Sequence, residues 1–247
     1  MRSVLKGAWC VLFGGAGREH CIYRMAELGL TIRVIIVPRK RNERLQKAVD
    51  GLAAAGFRIE ETNKNTLESV IGNVETDFLF SVGFPYILPL TVINRFELCL
   101  NIHPTLLPKY QGPTTAAYIL INDEAFAGST VHVIDEGVDT GDIVLQNQLQ
   151  VGVCENVAEL QQRVYRAEPQ LVEDALIHLE SGKPLRKQDA SQASFYPDKR
   201  KPEDSQIDPN LPLSGLINHI RGADPDNYPA FFYHKGKKVG VKIWEIE

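Results

Sequence analysis

No stretch of the 247-residue chain stays apolar for the roughly 18 residues that a membrane-spanning helix needs. Cysteine is scarce and scattered. Cys10, Cys21, Cys99 and Cys154 form no C-x-x-C pair, which speaks against a zinc site or a disulfide framework and predicts a reduced, cytoplasmic setting. A basic surplus is missing too: Lys and Arg number 27 against 31 Asp and Glu, a net charge of −4. Nothing in that balance draws the chain to nucleic acid or any other polyanion. The sequence has no internal repeat, and 44% hydrophobic with 23% charged residues excludes disordered, collagenous and coiled-coil classes. What remains is a globular chain, long enough for one large domain or two small ones. Arg2 and Lys6 ahead of residues 8–17 imitate a leader peptide, but Arg18-Glu19 closes the apolar run early. A buried first strand is the expectation.

Short β-branched or aromatic runs alternate with helical-period stretches over most of the chain. Strands are expected at Trp9–Phe13, Ile32–Val37, Asp77–Val82 and Glu97–Ile102, and helices at Arg18–Leu28 and Arg41–Ala55. Runs such as VIIV and FLFSV suit strands buried on both faces of a mainly parallel sheet, and the alternation is that of an α/β layer fold. Strands at Ser129–Ile134 and Ile143–Val151 then flank a Gly/Asp-rich loop, and Val157–Leu179 reads as a helix that Pro169 would kink. From Ser181 the chain turns polar and Pro-rich. A helix at Leu213–Arg221 and strands near Ala230–Tyr233 and Lys238–Trp244, turning at Gly236, make residues 196–247 a small helix-and-strand extension packed on a 1–195 body. Phe231, Phe232, Tyr233 and Trp244 either line a homodimer face or form the extension's own core.

Two motifs mislead. The Gly14-Gly15-Ala16-Gly17-Arg18 turn begins like a dinucleotide fingerprint, but His20 replaces its third glycine and Arg39-Lys40 stand where an acid belongs. Nicotinamide and flavin are therefore not expected. The turn's backbone N–H groups suit an anion, and a tight turn using glycine for positive φ explains it equally well. Asp139-Thr140-Gly141 spells an aspartic-protease triplet, yet it occurs once, and that chemistry needs two carboxylates sharing a proton.

The chemistry-bearing stretch is Leu98–Gly112, LCLNIHPTLLPKYQG. Alternation puts Asn101 and His103 on one side of a strand, at the carboxyl end where α/β folds bind ligands. Pro104 then leads the chain into a Pro/Gly-rich loop. The second piece, Gly128–Asp142, delivers a loop with several acids. From it Asp139 is the candidate partner that orients the His103 imidazole. His132, in mid-strand, reads more naturally as a packed, hydrogen-bonded histidine. No metal is required.

These segments resemble the formyltransferases that use 10-formyltetrahydrofolate. The shared pattern is N-x-H-[PS]-x-L-L-P-x-Y-x-G, here Asn101 to Gly112, followed by G-x-T-x-H-x-x-D-x-x-x-D-x-G, here Gly128 to Gly141. Gly83–Pro89 is similar to the family's ILP stretch, and Lys201-Pro202-Glu203-Asp204 to its R-x-P-E-D motif. The resemblance implies a Rossmann-like core and Asn101, His103 and Asp139 as the catalytic trio. It implies further that Asn101 and a protonated His103 donate to the oxyanion, and that Asp139 keeps His103 charged. Tyr86, Ile87, Leu88, Ile134, Asp135 and Asp139 are then expected at the folate, and Gly15, Gly17, Arg18, Thr105, Lys109, Tyr110 and Gln111 at the amine substrate.

Family members formylate the aminoacyl end of initiator tRNA, glycinamide ribonucleotide, nucleotide-linked sugars or other small amines. A short extension without a large basic barrel is similar to the sugar N-formyltransferases, so a nucleotide-linked amino deoxysugar is the expected substrate. Methionyl-tRNA, a deformylating hydrolase using the same trio, and a non-catalytic folate- or nucleotide-binding module are the alternatives.

Overall fold

The structure is a computed structural model, and it describes residues 2–113, 116–196 and 200–246. In chain order its elements begin with β1 (Ala8–Phe13), α1 (His20–Glu27), β2 (Thr31–Pro38), α2 (Glu43–Ala54), β3 (Ile59–Thr62), α3 (Leu67–Gly72), β4 (Phe78–Val82), α4 (Leu90–Ile93) and β5 (Leu98–His103). They continue with α5 (Ala116–Ile121), β6 (Phe126–Ala127), β7 (Thr130–Val133), β8 (Ile143–Gln146), β9 (Leu149–Gln150), α6 (Val157–Glu180), α7 (Leu213–Arg221), β10 (Ala230–His234) and β11 (Lys237–Val241).

Seven strands form one sheet in the order β3-β2-β1-β4-β5-β7-β8. The first five are parallel, and β7 and β8 join antiparallel. The central strands are apolar throughout because both faces are covered. Trp9, Val11 and Phe13 of β1 face a cluster that includes Ile22 and Met25 of α1 and Leu176 of α6. Cys10 and Leu12 face the opposite cluster, with Leu67 and Ile71 of α3 and Val92 of α4. All four cysteines are free thiols.

Local chemistry sets the helix starts. The Asn42 side chain accepts from the Leu45 N–H at 2.9 Å and begins α2, two residues later than expected. Asn156 and Glu159 form a capping box at α6, whose 24 residues continue through Pro169. The single strand expected over Ile143–Val151 is two. At the break, the Asn147 amide oxygen accepts from the Ser129 N–H at 2.7 Å, and β9 leaves the main sheet to pair with β6. Among the described residues no helix is long and apolar enough to cross a membrane.

The extension has its own small core of Ile207, Leu216, Ile220, Ala223 and Ala230, against which Phe232 packs. Phe231 is buried, whereas Tyr233 and Trp244 are largely exposed. The β10–β11 hairpin turns at Lys235 and Gly236, both with positive φ, as a tight hairpin demands. Arg221, buried at the end of α7, ties the extension to the body. It donates to the Gly152 and Val153 carbonyls at 2.9 and 3.1 Å and to Asp123 at 3.0 Å. A Cβ on Gly222 would stand 2.7 Å from the Ile121 side chain, so only glycine lets α7 approach α5 this closely.

Candidate active site

Strand order reverses direction between β1 and β4, the place where open α/β sheets form a crevice at their carboxyl ends. Two turns meet there. Gly14 and Gly15 donate to the Val82 carbonyl at 3.1 and 3.2 Å, and a Cβ on Gly83 would lie 2.8 Å from Gly15 Cα. Above them opens a cavity of about 940 Å³, within the range of small-molecule sites. Its lining comes from Phe84–Leu88, the Ile134–Asp139 loop, Val157–Tyr165 of α6 and, from the extension, Arg200, Lys201, Asp224 and Tyr228. Asn101, His103, His132 and Asp139 line it as well.

The pairing of β5 with β7 places Asn101 directly opposite His132, and Asp139 completes the group. His103 Nδ1 lies 3.4 Å from Asp139 Oδ2. His132 Nε2 lies 3.5 Å from Oδ1. Asn101 Nδ2 is 3.1 Å from His132 Nε2 and 3.4 Å from Asp139 Oδ1. The other nitrogen of each ring is fixed by the backbone: His103 Nε2–H donates to the Tyr110 carbonyl, and His132 Nδ1–H to the Val133 carbonyl, both at 2.9 Å. A carbonyl only accepts, so these bonds set both tautomers and leave His103 Nδ1 and His132 Nε2 turned toward the carboxylate.

Burial lowers the His103 pKa below 6.5, with the Asp139 charge and the Tyr110 carbonyl pulling the other way. Burial thus works against the charged ring expected from sequence, an expectation that counted the carboxylate but not the desolvation. Burial alone would raise the Asp139 pKa. His103, protonated in the acid range where the carboxyl titrates, leads the groups that outweigh it; with His132 and the Gly112 N–H it brings the carboxyl down to about 2. Asp139 thus stays ionised beside a ring nitrogen able to take a proton.

The acid is held under strain. Asp139 has φ 57°, a left-handed conformation costly for a residue with a Cβ. Gln188 Nε2 donates to its carbonyl at 2.8 Å and to Gly141 at 2.7 Å. The Gly112 N–H donates to Asp139 Oδ2 at 3.0 Å. A Cβ on Gly141 would stand 1.9 Å from the Val133 oxygen, so the loop returns under β7 only with glycine there.

Tyr86, Ile87, Leu88, Ile134 and Asp135 all line the cavity. Phe84 and Tyr86 meet edge to face at 5.3 Å, and the exposed Ile87 adds apolar surface, a wall suited to a flat heterocycle. Asp135 Oδ1 accepts from Gly137 N–H and Thr140 Oγ1 and so shapes the loop. Placement differs for the residues expected at the amine substrate. Arg18 lines the cavity but is 3% exposed, paired through Nε and Nη2 with Glu168 at 2.6 Å each. Its charge is neutralised internally. Gly15, Gly17, Thr105, Lys109, Tyr110 and Gln111 are not among the lining residues. Lys109 is paired with Glu124 at 2.9 Å. Thr105 is fully buried and donates to the carbonyls of Lys109 and Tyr110. Tyr110 and Gln111 brace the site from behind, the first through its carbonyl on His103 and the second through Nε2 on the Asp139 carbonyl at 3.3 Å.

His132 is the packed, hydrogen-bonded histidine expected, buried and bonded at both ring nitrogens; sequence reasoning missed Gln188 and the extension's side chains. The H in the second motif pointed to His132, but the antiparallel pairing that sets it against Asn101 was not foreseen. Among the described residues no cluster of three or more His, Cys, Asp or Glu side chains has the arrangement of a metal site.

Comparison with known proteins leads to the same chemistry. A family profile described as formyl transferase matches residues 36–176. A methionyl-tRNA formyltransferase of Syntrophus aciditrophicus is 30% identical over 210 residues, 83% of this chain and 67% of that protein. The chain spans about half the length of two other curated relatives of that name. Among solved structures, a 4-N formyltransferase from Francisella tularensis shares the fold with a TM-score of 0.78 and 21% identity, covering 98% of both chains. WlaRD, a sugar 3N-formyl transferase solved with dTDP and 5-N-formyl-THF, aligns with a TM-score of 0.70 and 20% identity over 87% of this chain and 78% of that one. With the family profile falling on the strands and loops that bring His103 and Asp139 together, the chain belongs to the formyl transferase family.

Proposed function

We propose that this protein transfers the formyl group of 10-formyltetrahydrofolate to the primary amine of a nucleotide-linked amino deoxysugar. The observation that carries this reading is His103 Nδ1 facing Asp139 at 3.4 Å, in a cavity of about 940 Å³. The donor supplies an activated formyl carbon. Its flat ring fits the Phe84–Leu88 wall, and the amine enters from the extension side.

His103 Nδ1, neutral at rest, accepts a proton as the amine nitrogen bonds to the formyl carbon. Asp139 stabilises the imidazolium so formed. Asn101 keeps one amide N–H on His132. The other is directed only loosely, across 3.4 Å, toward Asp139, and an oxyanion can capture it. Breaking the bond from the formyl carbon to the folate nitrogen requires that nitrogen to gain a proton, and the one held by His103 serves. Each turnover returns the ring to its neutral form. Four free thiols suit the reducing conditions of a cytoplasmic enzyme.

An amino sugar is favoured because the extension contributes to the cavity lining, and because a sugar N-formyltransferase from Shewanella shares this fold over 96% of the chain. Methionyl-tRNA is the second reading, favoured by the curated relatives. The test is incubation with 10-formyltetrahydrofolate and a panel of amino-sugar nucleotides, glycinamide ribonucleotide and methionyl-tRNA, followed by mass analysis. A formylated sugar nucleotide is expected. Formylation of methionyl-tRNA alone, or formate release without a formylated amine, would overturn the reading.

A further inference from the structure

Asp139 is a non-glycine residue at φ 57°, a conformation that persists only where the surroundings over-determine it. Its side chain supplies little of that restraint. The carboxylate lies 3.4 Å from His103 Nδ1, 3.4 Å from Asn101 Nδ2 and 3.5 Å from His132 Nε2, and its shortest contact, the Gly112 N–H, is at 3.0 Å. The short bonds are on the main chain. Gln188 Nε2 donates to the Asp139 carbonyl at 2.8 Å and to the Gly141 carbonyl at 2.7 Å. One amide nitrogen thus commits both of its N–H groups across the Asp139-Thr140-Gly141 turn. Carbonyls only accept, which fixes the end of the Gln188 amide that faces them. Its Oε1 accepts from Gln111 Nε2 at 3.4 Å, and the same Gln111 nitrogen reaches the Asp139 carbonyl at 3.3 Å.

Gln188 is held from both sides, in the segment between α6 and the extension. Before it, Arg186 exchanges backbone hydrogen bonds with Ile143, the first residue of β8, at 2.8 and 2.9 Å. After it, Ser194 takes the Tyr110 N–H on its hydroxyl and the Gln111 N–H on its carbonyl, both at 2.8 Å. The segment is therefore fastened to the strand that follows Asp139 and to the loop whose Tyr110 carbonyl holds His103 Nε2. Gln188 does not line the cavity, so it acts on the chemistry through Asp139 and not by touching substrate.

We infer that Gln188 is a positioning residue: its two hydrogen bonds across the 139–141 turn set the Asp139 carboxylate where it faces His103 Nδ1. The inference rests on the reading of Asn101, His103 and Asp139 as the reacting group. Without these donors a left-handed residue loses its two shortest restraints, and the turn relaxes in a direction that carries the carboxylate away from the ring. A misplacement of about 1 Å is enough to cost on the order of 10²-fold in rate. The sign at His103 follows. The titratable and charged groups that face it are Asp139, His132 and Arg18, and of these three only Asp139 raises its pKa. Drawing the carboxylate away leaves the ring harder to protonate.

The experiment uses the full-length protein with two substitutions. Gln188→Met keeps the length of the side chain without its donors, and Gln188→Glu turns a carboxylate toward the two carbonyls. Lys187→Ala, at the exposed neighbouring position, is the control. The His103 ring is titrated by NMR without substrate, its signal assigned by its loss in His103→Ala, and formylation kinetics are measured alongside. Both Gln188 variants are expected to move the His103 titration, and with it the acid limb of kcat/KM, to lower pH. They should lower kcat about 10- to 10²-fold with the KM for either substrate unchanged, while the control matches wild type. A wild-type His103 titration and kcat in both Gln188 variants would overturn the inference. So would a loss of kcat that follows a lowered unfolding midpoint while His103 titrates as in wild type, the mark of a purely structural role. A shifted His103 titration in the variants, beside a wild type that formylates no amine, would support the hold on Asp139 and overturn the reading of the reaction alone.

Discussion

At the scale of single residues, a backbone carbonyl decides what His103 can do. By accepting from Nε2 it leaves Nδ1 as the nitrogen that titrates, next to a carboxylate whose pKa of about 2 keeps it ionised at any working pH. Asp139→Asn removes the charge that stabilises the imidazolium while keeping the shape. It should lower kcat by about 10²–10⁴-fold, the span of general acid–base contributions, with folding retained. The sign of the pH effect follows. The Asp139 charge raises the His103 pKa against burial, so its loss moves the acid limb of the kcat/KM profile to lower pH. An acid limb that stayed in place would mean that another group titrates. Asn101, His103 and Asp139 were legible in sequence because strand alternation and a fixed loop spacing are local signals. Arg18 and Lys109 were not, because the acids that engage them, Glu168 and Glu124, reach them through tertiary contact rather than neighbouring sequence.

At the scale of elements, two contacts hold the site's frame. The buried Arg18–Glu168 pair joins the turn after β1 to α6, assisted by Ser129 Oγ on Glu168 at 2.9 Å and by Arg18 Nη2 on the Ile102 carbonyl at 2.9 Å. Removing one charge strands the other inside the protein. Glu168→Gln should therefore cost about 3–5 kcal/mol, read from denaturant unfolding, and a cost within experimental error would show that the pair is not buried as described. Gly141 sets the second contact. Gly141→Ala puts a methyl into the Val133 carbonyl and should destabilise by about 1–3 kcal/mol while displacing Asp139, so stability and kcat fall together. The strands of the parallel sheet were readable from their apolar runs. The two-residue β6 and β9 were not, since such pieces carry no periodicity and exist only through their pairing with each other.

At the scale of the whole molecule, the extension belongs to the site. Its core is small, but Arg221 locks α7 against the body through two carbonyls and Asp123, and the residues just beyond it line the cavity. Arg221→Ala should lower the unfolding midpoint and raise KM for the amine with the folate KM unchanged. Equal changes in both would indicate that the extension supports the fold without shaping the substrate half. The sequence showed a helix and a hairpin here. It could not show which way they dock, because that depends on the glycine-to-helix approach at Gly222 and Ile121. The most direct measurement on the whole account is the single-turnover rate of formyl transfer from 10-formyltetrahydrofolate to the accepted amine by wild type and by Asn101→Ala, His103→Ala and Asp139→Ala, each verified as folded. Transfer by wild type with loss in all three variants is the predicted result, and wild-type rates in the three variants would contradict it.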